Sequence, residues 1–502
     1  MRKFKLIILC AGLILAPSLW ANDETIGNLP GFIEHGMSEW HVPGMAVAVV
    51  TDEKILFQQG FGKTQVSGGR QVDTHTQFAI ASTTKAMIAA SIMILVDENK
   101  LALDDLAIKH LPELQFGDVW LNSQVTLRDM LTHRTGLAST DFWTFFQGMP
   151  LDEQISLMQE VEPVASLRSR FQYQNTMYEL LGLIIERTSG QTWHEFVRQR
   201  LWLPLKMHET YASRGRIDND KAHVLPYLFV HGEVSQAEWN LDKDLADAAG
   251  SVWSSVSDMG RWVQFLLRGG VAEDGQRLIS EKSLAELFKP QMLISKATFY
   301  PTTELTDPHW LSYGLGWFQQ DFQGRKIDFH TGSLGGLIAL VGLDRANKRG
   351  VIVLANQDHA EMRHAILWEV MDQQAADSKR DWNGDILSLY REREQQQDAE
   401  WEKTVAARLP GTQTGLALED YAGTYKHPAY GKLTIAQTEQ GMLLSSGRIQ
   451  FELSHWHLDT FLAERPSRDW KFLLPFSINS KGKVQSFDLF GEAFDKVAES
   501  TD

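Results

Sequence analysis

The sequence predicts an α+β fold: a large domain whose single sheet is closed by both of its ends, followed by a small antiparallel β-barrel. Three patterns carry the prediction. Short apolar runs bounded by turns stand near residues 44–60 and again over 313–354, with helical periodicities between them. A polar, charge-dense stretch over 373–408 breaks that pattern. From about residue 416 onward the chain alternates in brief, turn-separated segments.

In chain order, Arg2, Lys3 and Lys5 precede an apolar run from Leu6 to Ala16, and a small residue stands at Ala21. A charged start, a short apolar run and a small residue at the cut are the marks of a secretory signal, expected to span residues 1–21. The run falls short of the roughly 20 apolar residues a membrane span needs. Bulky Leu9 before Cys10 argues against a lipoprotein. Gly44–Val50 and Ile55–Phe57, parted by Asp52-Glu53-Lys54, read as a hairpin of two strands. Ser82–Val96 lacks Gly and Pro and is apolar on all sides, so a helix buried nearly all round is expected. Helical patterns follow at Leu127–His133, Tyr178–Thr188, Trp193–Leu201 and Asp258–Leu267. Strand-like runs return at Tyr313–Phe318, Leu337–Leu343 and Gly350–Leu354.

These patterns divide the chain into a domain over 22–372, a charged helical linker over 373–415, and a barrel over 416–502. The run Arg391–Asp398 is expected to be solvated, the usual fate of such a stretch. Segments near 421–425, 431–435, 442–444, 461–463, 471–474 and 484–490 supply the barrel's strands.

Composition excludes several functions. With 48 basic and 64 acidic residues among 502, the net charge is −16, and binding through phosphate neutralisation is disfavoured. Removal of residues 1–21 leaves 45 − 64 = −19. Cys10 is the single cysteine, which excludes an internal disulfide and a thiolate metal cluster. A mature chain without cysteine suits an oxidising envelope compartment.

Three short motifs far apart in sequence bear chemistry. In Ser82-Thr83-Thr84-Lys85, a step of three places the amine and the hydroxyl on one helix face. First-turn N–H groups can stabilise an oxyanion, and a desolvated lysine can act as a base. The same spacing at Ser480–Lys483 reads as a solvated loop, and Ser82 could equally be a helix cap. In Tyr173-Gln174-Asn175, a phenol can relay a proton and an amide can hold a carbonyl; a packed Tyr before a capping Asn is the plainer reading. His330-Thr331-Gly332-Ser333 ends a strand, where a glycine allows close approach to substrate and the edge can offer an N–H; a glycine-rich hairpin is the alternative. No G-x-S-x-G, H-E-x-x-H, P-loop or G-x-G-x-x-G motif is present.

In order and spacing, the three motifs resemble those of the active-site serine penicillin-recognising enzymes: S-x-x-K, Y-x-N and K-T-G or H-T-G. Nearest in pattern are class C β-lactamases and the related esterases, D-peptidases and low-molecular-weight penicillin-binding proteins. Phe78–Ala81, Leu131–Leu137, Ala249–Ser254 and Tyr313–Trp317 extend the resemblance over about residues 27–372. It implies a β-lactamase/transpeptidase-like antiparallel sheet flanked by helices, with a helical subdomain. The barrel resembles the lipocalin-like domain appended to some members.

The resemblance further implies a hydrolase working through an acyl-enzyme without metal or organic cofactor, and the signal-like residues 1–21 make a periplasmic or secreted location the expectation. Ser82 would be the nucleophile, and Lys85 and Tyr173 would share the base work. The N–H groups of Ser82 and Ser333 would form the oxyanion hole. Asn175, His330, Thr331, Gly332 and Ser333 would line the substrate, a small ester, peptide or β-lactam. A non-hydrolytic module that holds cell-wall peptide is the alternative. His330 stands where β-lactamases carry Lys, which lowers the expectation for β-lactams. Activity is expected to change as His330 titrates, in a limb that His330→Lys abolishes.

Overall fold

The computed structural model describes residues 23–218, 220–238, 247–374, 379–439 and 441–497. The expected signal peptide and Cys10 lie outside the described residues. Among these residues no helix is long and apolar enough to cross a membrane.

The large domain starts with helix α1 (Asp23–Glu39), which contains Pro30 and three glycines. Those breakers mask it in the sequence. Leu29, Ile33 and Met37, spaced four apart, make the stripe that binds it to the core. Strands β1 (Gly44–Thr51) and β2 (Ile55–Gly62) form the expected hairpin. Helix α2 (Thr84–Asp97) follows, with twelve of its fourteen residues buried, as its all-round apolar pattern predicts. Helix α3 (Asn175–Ser189) packs on α2 in the helical subdomain, and helix α4 (Val256–Leu267) lies on the sheet against β1.

The sheet is completed by β3 (Met292–Leu293), β4 (Leu311–Tyr313), β5 (Phe318–Phe322), β6 (Arg325–Leu334), β7 (Leu337–Asp344) and β8 (Arg349–Ala355). Their order is β2-β1-β8-β7-β6-β5-β4-β3, antiparallel throughout. Both ends of the domain therefore meet at the β1–β8 seam, where Met45 faces Ala355 and Val50 faces Gly350.

Period-two alternation makes this sheet the wall between two cores. Met45, Val47 and Val49 face α1 and helix α5 (Met362–Met371). Ala46, Ala48 and Val50 face α2 and α4. All six are fully buried, and each Val contributes roughly 1.5–3 kcal/mol by leaving water.

One expected strand is two. Tyr313–Phe318 breaks at Gly316, whose φ of +80° only glycine tolerates readily. A Cβ there would lie 3.0 Å from the Lys85 carbonyl oxygen, so this turn presses on the start of α2.

Helix α6 (Trp382–Ala406) occupies the charged stretch. Its first turns bury Trp382, Ile386 and Leu387 in the large domain's core, and only from Arg391 is the helix solvated as expected. Beyond it, eight strands from Gly423 to Lys496 form a closed antiparallel barrel, first and last pairing at Tyr425–Lys496. The strand Ile449–His457 escapes the sequence reading although Ile449, Phe451 and Leu453 alternate with exposed Gln450 and Glu452.

Alternate hairpin connections of such a barrel share one end. That end rests on the large domain at two places. Trp143 and Gln147 donate to the carbonyls of Ala429 and Tyr430, each at 2.7 Å, and the Arg448 N–H donates to Phe146 at 2.9 Å. On the other side Arg465 and Arg468 approach Glu238 and Asp358, at 3.8 and 3.7 Å.

Candidate active site

Ser82 lies on a 3₁₀ turn, Ala81–Thr83, that leads into α2. It caps neither element, since the cap positions fall at Ile80 and Thr83 and neither uses a side chain. Ala81 holds a positive φ of 44°, a conformation that costs an alanine energy and is kept by its surroundings. The turn presents the Ser82 hydroxyl to Lys85, whose Nζ lies 3.1 Å away. Ser480–Lys483, the other S-x-x-K spacing, sits in an exposed turn.

Lys85 is fully buried, and its amine also reaches Asn175 Oδ1 and the Ala249 carbonyl, both at 2.7 Å. Burial pushes its pKa down to about 7, against the pull of Asp141 and Glu179. A neutral amine has two N–H donors and one lone pair. Asn175 and Ala249 take the two donors, which leaves the lone pair for the Ser82 hydroxyl.

The Tyr173 phenol faces the Ser82 side chain, and burial pushes its pKa well above 10, so the phenol keeps its proton. Its ring lies 5.0 Å from Lys85 Nζ and 4.3 Å from the buried His133 ring. Asn175, the first residue of α3, is 6% exposed, and its Nδ2 donates to Asp141 Oδ1 at 2.9 Å. Its amide therefore meets protein on both sides, where the resemblance implies contact with substrate.

The third motif comes in on β6. A Cβ on Gly332 would lie 2.5 Å from the Ile80 carbonyl oxygen and 2.9 Å from the Ser82 nitrogen, so the strand abuts the nucleophile's own amide. Behind it, Arg363 donates to the Gly332 carbonyl at 2.7 Å and to Ser333 Oγ at 2.9 Å. Arg363 also grips Glu361 with two bonds of 2.9 and 3.0 Å. Burial opposes the Glu361 charge, but the guanidinium holds this carboxyl well below its ordinary range. Thr331 shares a hydrogen bond of 2.6 Å with Tyr300.

His330 corrects an expectation. It is 1% exposed; Nδ1 donates to the Thr331 carbonyl at 2.6 Å, and Nε2 accepts from Tyr313 at 2.9 Å. This tautomer follows from the carbonyl, which only accepts. Burial and nearby Lys85 push its pKa down to about 3, so no limb of activity near neutral pH belongs to His330. Both nitrogens are engaged within the protein.

Ser82, Lys85, Tyr173 and Asn175 thus form one connected group, with Gly332 packed against it. Asp141 joins that group without having been singled out in the sequence, and the Ala249 carbonyl joins it from the quoted Ala249–Ser254 stretch. A backbone acceptor leaves no mark on sequence, and Asp141 lies four residues beyond the quoted Leu131–Leu137 stretch. Among the described residues no cluster of three or more His, Cys, Asp or Glu is placed to hold a metal.

Comparisons with known proteins agree with this arrangement. Residues 407–500 match a family described as a domain of unknown function, DUF3471. An unguisins hydrolase of Aspergillus campestris is 28% identical over 443 residues, covering 83% of this chain and 78% of its own length. Protein flp of Staphylococcus aureus is 26% identical over 331 residues, 64% of this chain and 61% of its own. The octameric penicillin-binding protein homologue of Pyrococcus abyssi shares the fold, with a TM-score of 0.62 at 24% identity over 94% of this chain and all of that one. Residues 29–376, which include the sheet, the helical subdomain and the whole site, match the β-lactamase family, and to that family of hydrolases the chain belongs.

Proposed function

We propose that this chain is a serine hydrolase that cleaves esters or amides, D-amino-acid peptides among them, through an acyl-enzyme on Ser82. The observation that carries this reading is the set of partners around Lys85. Two carbonyl acceptors and one hydroxyl fit a neutral amine whose lone pair faces Ser82. Lys85 takes the Ser82 proton as Oγ attacks the carbonyl carbon. Tyr173, kept neutral, relays a proton to the leaving group. The N–H groups of Ser82 and Ser333 receive the oxyanion, and water then attacks the acyl-enzyme to release the acid.

With His330 buried and neutral, the third motif offers no cation to a substrate carboxylate. This favours neutral esters and peptide bonds away from a free C-terminus over β-lactams. We also propose export to the periplasm or beyond, supported by the signal-like residues 1–21. Intact mass of the protein recovered from a bacterial envelope is expected to start at Asn22; an uncleaved chain in the cytoplasm counts against export.

A fluorophosphonate is expected to add covalently to Ser82, located by peptide mass spectrometry, while a nitrophenyl ester turns over. A stable adduct without turnover favours a binding module instead. Because Lys85 works as base when neutral, kcat/KM should climb as pH rises through about 7. Glu179, lifted by burial to about 7, titrates in the same window. The climb should survive Glu179→Gln and His330→Asn but disappear with Lys85.

A further inference from the structure

Asn175 stands between two groups with opposite demands. Its Oδ1 accepts from Lys85 at 2.7 Å, while its Nδ2 and backbone N–H both donate to Asp141 Oδ1, at 2.9 and 3.2 Å. A carboxylate only accepts, so it admits the NH₂ side of the amide and rejects the carbonyl side. If the amide turned over, its NH₂ would face the Lys85 amine and hydrogen-bond to the lone pair. That lone pair would no longer be free to take the Ser82 proton.

We propose that Asp141 is a positioning residue for the hydrolysis: by fixing the orientation of the Asn175 amide, it keeps the lone pair of Lys85 on Ser82. This rests on the reading of Lys85 as base. Asp141 touches neither Ser82 nor the Lys85 amine through a hydrogen bond, and it acts through Asn175.

The barrel takes part in this arrangement. Asp141 begins the segment whose next turn, Trp143–Gln147, is clasped by the barrel end through Ala429, Tyr430 and Arg448. Phe146 also stacks on Trp470 at 5.8 Å. Trp143 is fully buried in this contact. The C-terminal domain therefore holds the segment from which Asp141 reaches the site.

The groups facing Lys85 are Asp141, Glu179, Tyr173, Tyr178, His133 and His330. Burial raises the pKa of the Asp141 carboxyl, while the two Asn175 donors and Lys85 favour its charge. As a carboxylate it favours the Lys85 ammonium, as Glu179 does, so loss of the Asp141 charge should lower the Lys85 pKa.

The test uses the full chain and a nitrophenyl ester. Asp141→Ala is expected to lower kcat by roughly 10- to 100-fold with KM within about twofold, the scale of a misplaced catalytic group. Its neutral-pH limb should move to lower pH. Asp141→Asn, which keeps an acceptor oxygen, should recover most of kcat while its limb stays shifted. Trp143→Phe, which keeps the ring and loses the bond to Ala429, should lower kcat by a few fold in the same sense. Wild-type kcat and pH profile in Asp141→Ala overturn the proposal, as does a loss in Asp141→Asn as deep as in Asp141→Ala. If the alanine variant does not fold, the asparagine variant decides alone: a kcat lowered tenfold or more despite the retained acceptor oxygen refutes the role, and a kcat near wild type with a shifted limb supports it. Failure of wild type to turn over any ester or amide refutes the hydrolase reading instead, so the two failures are distinct.

Discussion

Lys85→Met is expected to lower kcat/KM for a nitrophenyl ester by about 10³-fold, within the range that a positioned general base supplies. Methionine fills a similar volume without a polar atom, so Ser82 keeps its backbone setting and loses its amine. No neighbour can take the amine's place. His330 has both nitrogens engaged, and Tyr173 holds its proton because burial raises its pKa. Stability reports on the same residue independently. The folded value of about 7 lies below the ordinary 10.5, so between those limits the unfolded chain binds a proton that the folded one lacks. Stability of the wild type should therefore gain about 1.4 kcal/mol per pH unit from this group across that window. Below about pH 7 and above about 10.5 the contribution is flat. In Lys85→Met this slope disappears, while the unpaired carbonyls of Asn175 and Ala249 cost about 1–3 kcal/mol each. Urea melts at pH 7 and pH 9, compared between the two proteins, measure it. A variant retaining a tenth of the activity, or the wild-type slope, contradicts the assignment.

Much of this was legible in the sequence because the chemistry needs particular side chains at particular steps. The three-residue step from Ser82 to Lys85 on an apolar helix already implied contact and desolvation. The apolar run Gly44–Val50, bounded by turn residues, implied a strand, while the core on each of its faces shows only in the fold. What stayed hidden depends on tertiary partners. The charge of His330 could not be read from its reference pKa, because Tyr313 and the Thr331 carbonyl occupy its nitrogens. Asn175 read as a substrate ligand, and its bonds to Lys85 and Asp141 come from distant segments that its own motif does not reveal. Helix α1 was obscured by Pro30 and its glycines, although Leu29, Ile33 and Met37 recorded its buried face. The break at Gly316 answers to the approach of α2, which no local pattern announces.

Gly332→Ala should have an effect nearly as large by a different route, with kcat falling about 10²- to 10³-fold, the scale of losing one oxyanion donor. The added methyl would meet the Ile80 carbonyl oxygen at 2.5 Å, Ala81 Cβ at 2.8 Å and the Ser82 nitrogen at 2.9 Å. These are backbone atoms and a Cβ, which cannot rotate aside as the end of a long side chain could. Nor can β6 retreat freely, since β7 pairs along its other edge and Arg363 holds Gly332 and Ser333 from behind. The strand must bulge, which shifts the Ser333 N–H proposed as the second oxyanion donor. Overpacking of this kind also costs about 1–3 kcal/mol of stability, which a thermal melt would register. Because Lys85 and its partners are untouched, the climb of kcat/KM through about pH 7 should persist at a lowered plateau. That separates a lost oxyanion donor from a lost base, for which the climb itself vanishes. An alanine variant with an undiminished plateau would mean that β6 does not supply the oxyanion's second N–H.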